Sequence, residues 1–213
     1  MTNYEIQEFL KCKEDLYYFI DNYVKIQHPL KGIINFKLYN YQKKLLKQFE
    51  DKNFNIIFKD RQKGISTLLL VYCIWKCLFY EKENILYVTP YNCTFLINKI
   101  KTIISFLQNY MKQKVIFNQN DIKFENGSNI SNIHSKHEHI KFLHRHYSLC
   151  IFDESYINID SKRWKELIPF LANGGQCIMT FTYKYLSSFE WMRIMQIMAK
   201  YDVSFFSAIG DLK

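Results

Sequence analysis

Four short runs of almost uninterrupted apolar residues, set apart by segments of helical period, restrict this chain's fold more than any other feature. They are Phe54-Asn55-Ile56-Ile57-Phe58, Ile85-Leu86-Tyr87-Val88, Leu149-Cys150-Ile151-Phe152 and Cys177-Ile178-Met179-Thr180-Phe181. A strand with one wet face alternates apolar and polar residues, whereas a continuous run suits a strand covered on both faces. Between the runs lie helix-period segments at about 66–80, 94–110 and 164–171, long enough to cross over and return the chain parallel. The expected fold class is therefore α/β, a mostly parallel sheet flanked by helices. With 6 Gly and 3 Pro in 213 residues, the chain is too poor in turn formers for an all-β sandwich.

The rest of the chain fits around that sheet. Residues 4–28 read as helical and stop at His28-Pro29-Leu30-Lys31-Gly32; a strand at 33–36 and a helix at 41–49 follow. Short strands are expected at 115–117, 122–124 and 130–133, the last two hinged at Asn126-Gly127. A helix at 189–200 and a strand at 203–207 close the chain. No repeat or linker divides it, so 1–213 reads as one domain, with a helical lead-in over 1–50 and the core over 51–213.

Hydrophobic residues at 48 % supply a real core and exclude a disordered chain. The N-terminus shows no basic-then-apolar leader, and the apolar stretch 65–75 is too short to cross a bilayer. Six scattered cysteines, with no CxxC pair, suit a reducing interior and free thiols. Lys and Arg number 29 against 20 Asp and Glu, a formal charge of +9 that favours an anionic partner.

Two motifs carry chemistry. The turn Lys59-Asp60-Arg61-Gln62-Lys63-Gly64-Ile65-Ser66-Thr67 joins an apolar strand to a long helix, and such a helix start presents free N–H groups to phosphate. Against the P-loop pattern G-x-x-x-x-G-K-[ST], Lys59 replaces the first glycine and Ile65 the lysine. Gly64 and Ser66 are retained, and Lys59 or Lys63 is placed to supply the missing ammonium. By itself the turn is as well explained by an ordinary strand–helix junction. The second motif is Asp153-Glu154 at the end of the strand 149–152, where α/β sheets bind ligands. An Asp there suits Mg²⁺, and the adjacent Glu suits activation of a water. The two motifs, in this order, point to a P-loop NTPase of RecA/ASCE-like type.

Four segments make the resemblance specific: Leu38-Tyr39-Asn40-Tyr41-Gln42, Arg61-Gln62-Lys63-Gly64-Ile65-Ser66-Thr67, Glu125-Asn126-Gly127-Ser128 and Ile151-Phe152-Asp153-Glu154. In this order they resemble the ATPase domain of tailed-phage large terminases, the DNA-packaging motors. The opening run Cys12 to Phe19 resembles that family's N-terminal helix, and the likeness extends over residues 10–207.

The resemblance implies ATP and Mg²⁺ as cofactors. Tyr41, Gln42, Lys59, Asp60, Arg61, Gln62, Lys63, Gly64, Ile65, Ser66 and Thr67 would bind ATP, with Gln42 reading adenine. Lys59 would be the displaced phosphate lysine and Arg61 the arginine that stabilises transition-state charge. Ser66 and Asp153 would hold Mg²⁺, and Glu154 would be the catalytic base. Thr180 and Thr182 would belong to the coupling motif, where Tyr183-Lys184 replaces the family's Pro-Asn.

It also implies double-stranded DNA as substrate, a homo-oligomeric ring on a portal, a small terminase subunit, and residence in the host cell cytoplasm without a membrane. The family's C-terminal nuclease is expected to be absent from this chain, leaving a separate nuclease as a possible partner. A fragment, a split gene product and a stand-alone relative all remain open. So do two other readings, a helicase-like ATPase and a non-hydrolysing nucleotide- or DNA-binding module of the same fold.

Weaker features have plainer readings. His134, His137, His139, His144 and His146 match no zinc spacing and read as a basic loop rather than a metal site. Arg145 reads as a surface arginine, with a trans-acting role as the sharper alternative. Trp191, Met192, Ile194, Met195 and Met198 recur at helical spacing, as core or as an interface. Lys43, Lys44, Lys47 and Lys52 form either a solvated helix face or charge directed at DNA.

Overall fold

The structure, a computed structural model, describes residues 2–28, 30–107, 113–134, 146–154, 170–171, 173–182, 187–200 and 202–208. The chain opens with α1 (Asn3–Glu14), α2 (Leu16–Tyr23), β1 (Lys25–His28), β2 (Gly32–Asn35) and α3 (Asn40–Asp51). There follow β3 (Phe54–Lys59), α4 (Ile65–Phe79), β4 (Asn84–Thr89), α5 (Cys93–Leu107), β5 (Val115–Phe117), β6 (Asp121–Phe124) and β7 (Asn129–His134). Last come β8 (Leu149–Phe152), β9 (Gln176–Thr182), α6 (Ser188–Lys200) and β10 (Ser204–Ala208).

Among the described residues, eight strands form one sheet in the order β10-β3-β9-β8-β4-β7-β6-β5. The six from β10 to β7 are parallel, and β6 and β5 add an antiparallel edge through the Asn126-Gly127 hairpin. The expected α/β class and mostly parallel sheet are thus present. Every residue of β3, β8 and β9 is buried, as their continuous apolar runs require.

Alternation along these strands sends side chains into two cores. Ile57, Tyr87, Ile151 and Ile178 pack on one face with α2, α3, α4 and α5. Phe58, Val88, Phe152 and Phe181 pack on the other, with Ile194 of α6. Helix α4 buries 12 of its 15 residues, so it is a core helix apolar all round rather than an amphipathic one.

One expectation for the lead-in is corrected. The predicted helix over 4–28 is two helices and a strand. Asp15 adopts an extended backbone, and its Oδ1 accepts from the N–H groups of Tyr17 at 2.8 Å and Tyr18 at 3.0 Å. That cap restarts the helix instead of continuing it. From Lys25 the chain pairs antiparallel with β2, with His28 opposite Gly32, because a partner strand offers the backbone hydrogen bonds a helix end lacks. The expected helix over 164–171 lies almost wholly outside the described residues. Expected bounds elsewhere shift by a residue or two where they fall within the described residues.

Candidate active site

Register brings the ends of four parallel strands to one edge of the sheet. Lys59 at the end of β3 faces Thr182 of β9, Phe152 faces Met179, and Val88 faces Phe152. The strand bearing the acids is not next to the loop strand, because β9 lies between them. This spacing opens the crevice in which the loop 60–64, the start of α4 and the pair Asp153-Glu154 meet.

The loop's backbone is shaped for close approach. Gln62 and Gly64 have φ of 63° and 69°, in the left-handed region. Gly64 caps α4 without a side chain, so the cap position offers the first-turn N–H groups no side-chain oxygen. A β-carbon at Gly64 would stand 3.0 Å from Nε2 of Gln42. The loop is braced from α3: the Tyr41 hydroxyl donates to the Lys63 carbonyl at 2.5 Å, and Gln42 Nε2 donates to it at 3.3 Å. Gln42 is fully buried, and its Oε1 accepts from the Tyr39 N–H at 3.0 Å. Its amide therefore ties the start of α3 to the 60–64 loop. Burial pushes the Tyr41 phenol up to about 12, so it remains a donor. Tyr39 stacks on Tyr41 with ring centroids 5.5 Å apart and is exposed.

At the centre, Lys59 Nζ lies 3.2 Å from Ser66 Oγ, 3.4 Å from Asp153 Oδ1 and 3.4 Å from Glu154 Oε1. Lys59 and Asp153 are both buried. Each acid is held by further donors. The Tyr87 hydroxyl donates to Asp153 Oδ2 at 2.9 Å, and the Thr180 hydroxyl donates to Asp153 Oδ1 at 2.9 Å. The Glu154 N–H donates to Thr180 Oγ1 at 2.8 Å, and the Tyr91 hydroxyl donates to Glu154 Oε2 at 2.5 Å. Glu154 itself has φ of 53°, a strained backbone for a residue with a side chain and one that recurs at functional sites. Burial and the neighbouring acids push the Tyr87 and Tyr91 phenols well up, so both stay protonated and can donate to the acids.

Lys59, Ser66, Asp153, Glu154 and Thr180 thus come together, with Lys63, Gly64 and Ile65 framing the loop. Asp60 is half-buried, Arg61 is exposed, and Thr67 is half-buried in the first turn of α4. Thr182 is buried at the end of β9, and its Oγ1 has no hydrogen-bond partner among the described residues. Sequence reasoning missed Tyr87 and Tyr91, since a tyrosine at a strand end reads as β-propensity. The signal was their place, one in β4 and one just past it, on the strand neighbouring the acids. A cavity of about 200 Å³ opens beside them, lined by Ser66, Tyr87, Tyr91, Phe95, Lys99 and Asp153.

A hydroxyl and a carboxylate converging on one cationic centre are hard oxygen donors, which fits Mg²⁺. Of the histidine run, His134 ends β7 and His146 borders β8, while His137, His139, His144 and Arg145 lie outside the described residues. Lys52 pairs with Asp202 at 2.7 Å, whereas Lys43, Lys44 and Lys47 are exposed. On α6, Ile194 is core and Met198 half-buried, while Trp191, Met192 and Met195 are exposed. Among the described residues no helix is long and apolar enough to cross a membrane.

No protein-family model matches the sequence. Solved structures do match. The large terminase ATPase domain of Thermus phage P74-26 superposes with a TM-score of 0.63 at 13 % identity, covering 81 % of this chain and 81 % of that one. The large terminase of bacteriophage HK97 gives 0.72 at 11 % identity, covering 94 % of this chain and 45 % of that one. The large terminase of a thermophilic bacteriophage, in complex with ADP, gives 0.61 at 13 % identity, covering 80 % of this chain and 45 % of that one. The chain thus spans less than half the length of these last two proteins. At these identities the likeness is one of fold: the chain carries the α/β fold of the ATPase domain of bacteriophage large terminases.

Proposed function

We propose that this chain is the ATP-hydrolysing motor domain of a viral DNA-packaging terminase, coupling hydrolysis to translocation of duplex DNA into a procapsid. One observation carries the reading. A lysine, a hydroxyl and two acids from β3, α4 and the end of β8 meet around a single point, with Lys59 Nζ within 3.4 Å of the other three.

Phosphoryl transfer asks a protein mainly for positioning and charge compensation. The 60–64 backbone and the first turn of α4 would receive the phosphates, Lys59 would compensate their charge, and exposed Arg61 would reach the transferring group. Ser66 and Asp153 would hold Mg²⁺, which when bound neutralises phosphate charge. Glu154 would take the proton of the attacking water as its oxygen bonds to the γ-phosphorus and the bridging bond breaks. Thr180, bonded to both acids' positions through Asp153 Oδ1 and the Glu154 N–H, is suited to relay changes there into β9. Tyr41 and Gln42 are assigned to adenine, a role that requires the Gln42 amide to give up Tyr39 or Lys63 for the base.

The chain would act in a homo-oligomeric ring on a portal, together with a small terminase subunit. Duplex DNA would bind through Lys and Arg to phosphates, without sequence preference and with affinity falling steeply in salt. The test is steady-state ATP hydrolysis with Mg²⁺, with and without duplex DNA, beside Glu154→Gln. Loss of at least about a hundredfold in kcat with nucleotide still bound is expected. Turnover that survives Glu154→Gln would overturn the assignment of the base, and nucleotide binding without turnover in the wild type would describe a binding module instead.

A further inference from the structure

The position that suits a divalent cation is already held by a charge of the protein's own. The three N–H bonds of the Lys59 ammonium face three acceptors, Ser66 Oγ at 3.2 Å, Asp153 Oδ1 at 3.4 Å and Glu154 Oε1 at 3.4 Å. Two of these, Ser66 Oγ and Asp153 Oδ1, belong to the residues a magnesium ion would need. The remaining acceptors on the acids are also engaged, Asp153 Oδ2 by Tyr87 and Glu154 Oε2 by Tyr91. The side chains of Lys59 and Asp153 are only 5 % and 3 % exposed, so solvent screens this charge cluster little.

We propose that Lys59 is the resident counter-ion of the metal position in the nucleotide-free protein, and that a divalent cation enters only together with a polyphosphate that draws the ammonium away. Two adjacent acids in a dry site need a cation, because removing the positive partner of a buried charge is strongly destabilising. A second cation arriving alone would meet the first at close range and find its ligands taken. A polyphosphate changes both terms, since its oxygens offer the ammonium new acceptors and leave Ser66 and Asp153 free. Replacing the lysine of a P-loop by Ile65 and placing one at Lys59, the end of the strand, is what makes this contact reachable. The inference rests on the reading of Ser66 and Asp153 as the metal position.

The experiment titrates Mn²⁺ into nucleotide-free protein, read by electron paramagnetic resonance of the free ion and by the thermal midpoint. Wild type should bind weakly and show no rise in midpoint. Lys59→Met keeps the buried aliphatic stem and removes the charge, and it should bind Mn²⁺ at least about tenfold more tightly, with a rise in midpoint. Lys59→Arg, which keeps the charge, should stay weak and guards against an effect of misfolding. Equal Mn²⁺ affinity of wild type and Lys59→Met would overturn the proposal while leaving the ATPase reading intact. Adding Asp153→Asn to Lys59→Met should abolish the gained binding. Binding that survives it would overturn the metal position itself, and with it both readings.

Discussion

The hydroxyl of Thr180 is donor to one acid and acceptor for the backbone of the next, so it fixes Asp153 and Glu154 relative to each other. Thr180→Val keeps the shape and the β-propensity but leaves the Glu154 N–H without its acceptor and Asp153 Oδ1 without that donor. An unfulfilled buried group costs about 1–3 kcal/mol. Urea unfolding should show a loss of that order, turnover should fall with it, and Thr180→Ser should restore most of both. At Gly64 the constraint is steric. Its φ of 69° disfavours any β-carbon, and the added carbon would crowd Gln42 Nε2 at 3.0 Å. Gly64→Ala should therefore cost about 1–2 kcal/mol of stability and weaken nucleotide binding, measured by calorimetry. The glycine and the acids were legible as sequence motifs. Thr180's link to the acids was not, because nothing in a string of residues says that β9 inserts between β3 and β8.

Among the elements, α4 is the hub to which the lead-in is fastened. Trp75 on α4 donates its indole N–H to the Cys12 carbonyl near the end of α1, at 2.7 Å, and Tyr72 donates to Gln176 Oε1 of β9 at 3.0 Å. The bracket is closed on the outside by Glu8 of α1, which accepts from Tyr18 and Tyr23 of α2 at 2.8 Å and 2.6 Å. Hydrogen bonds from Tyr23, Lys11 and Tyr18 hold the Glu8 carboxyl at about 2, below its ordinary 4.5. A group depressed on folding adds stability that is present above its unfolded value and is lost as pH falls towards the folded one. The urea midpoint of the wild type at low salt should therefore drop between pH 4.5 and 2 by more than that of Glu8→Gln. An equal drop would remove Glu8 from the account. The helix period of 4–28 hid this bracket, because the apolar spacing runs on past Asp15 while its side chain caps a second helix.

For the whole molecule, two cores on the two faces of one sheet leave little room for reactive thiols. Cys12, Cys73, Cys77, Cys150 and Cys177 are all buried, and burial pushes their thiols up, that of Cys12 to about 12. Only thiolate attacks, so these five should be inert to a disulfide reagent at about pH 8 and react together as the protein unfolds. A count of reactive thiols along a urea titration checks this, and early reaction of Cys150 or Cys177 would mean that the sheet opens before the rest. The sequence by itself determined the class of fold, since runs apolar at every position allow few solutions besides a strand covered on both faces. It also marked the loop and the acid pair as candidates, because strand-to-helix turns and strand-end carboxylates depend on residues close together in the chain. Only the tertiary structure decided strand order, the closure of Lys59 onto residues 94 and 95 positions away, and the two tyrosines that hold the acids. Those contacts follow from register between strands distant in sequence, and register is set by how the whole apolar pattern packs, which no local spacing records.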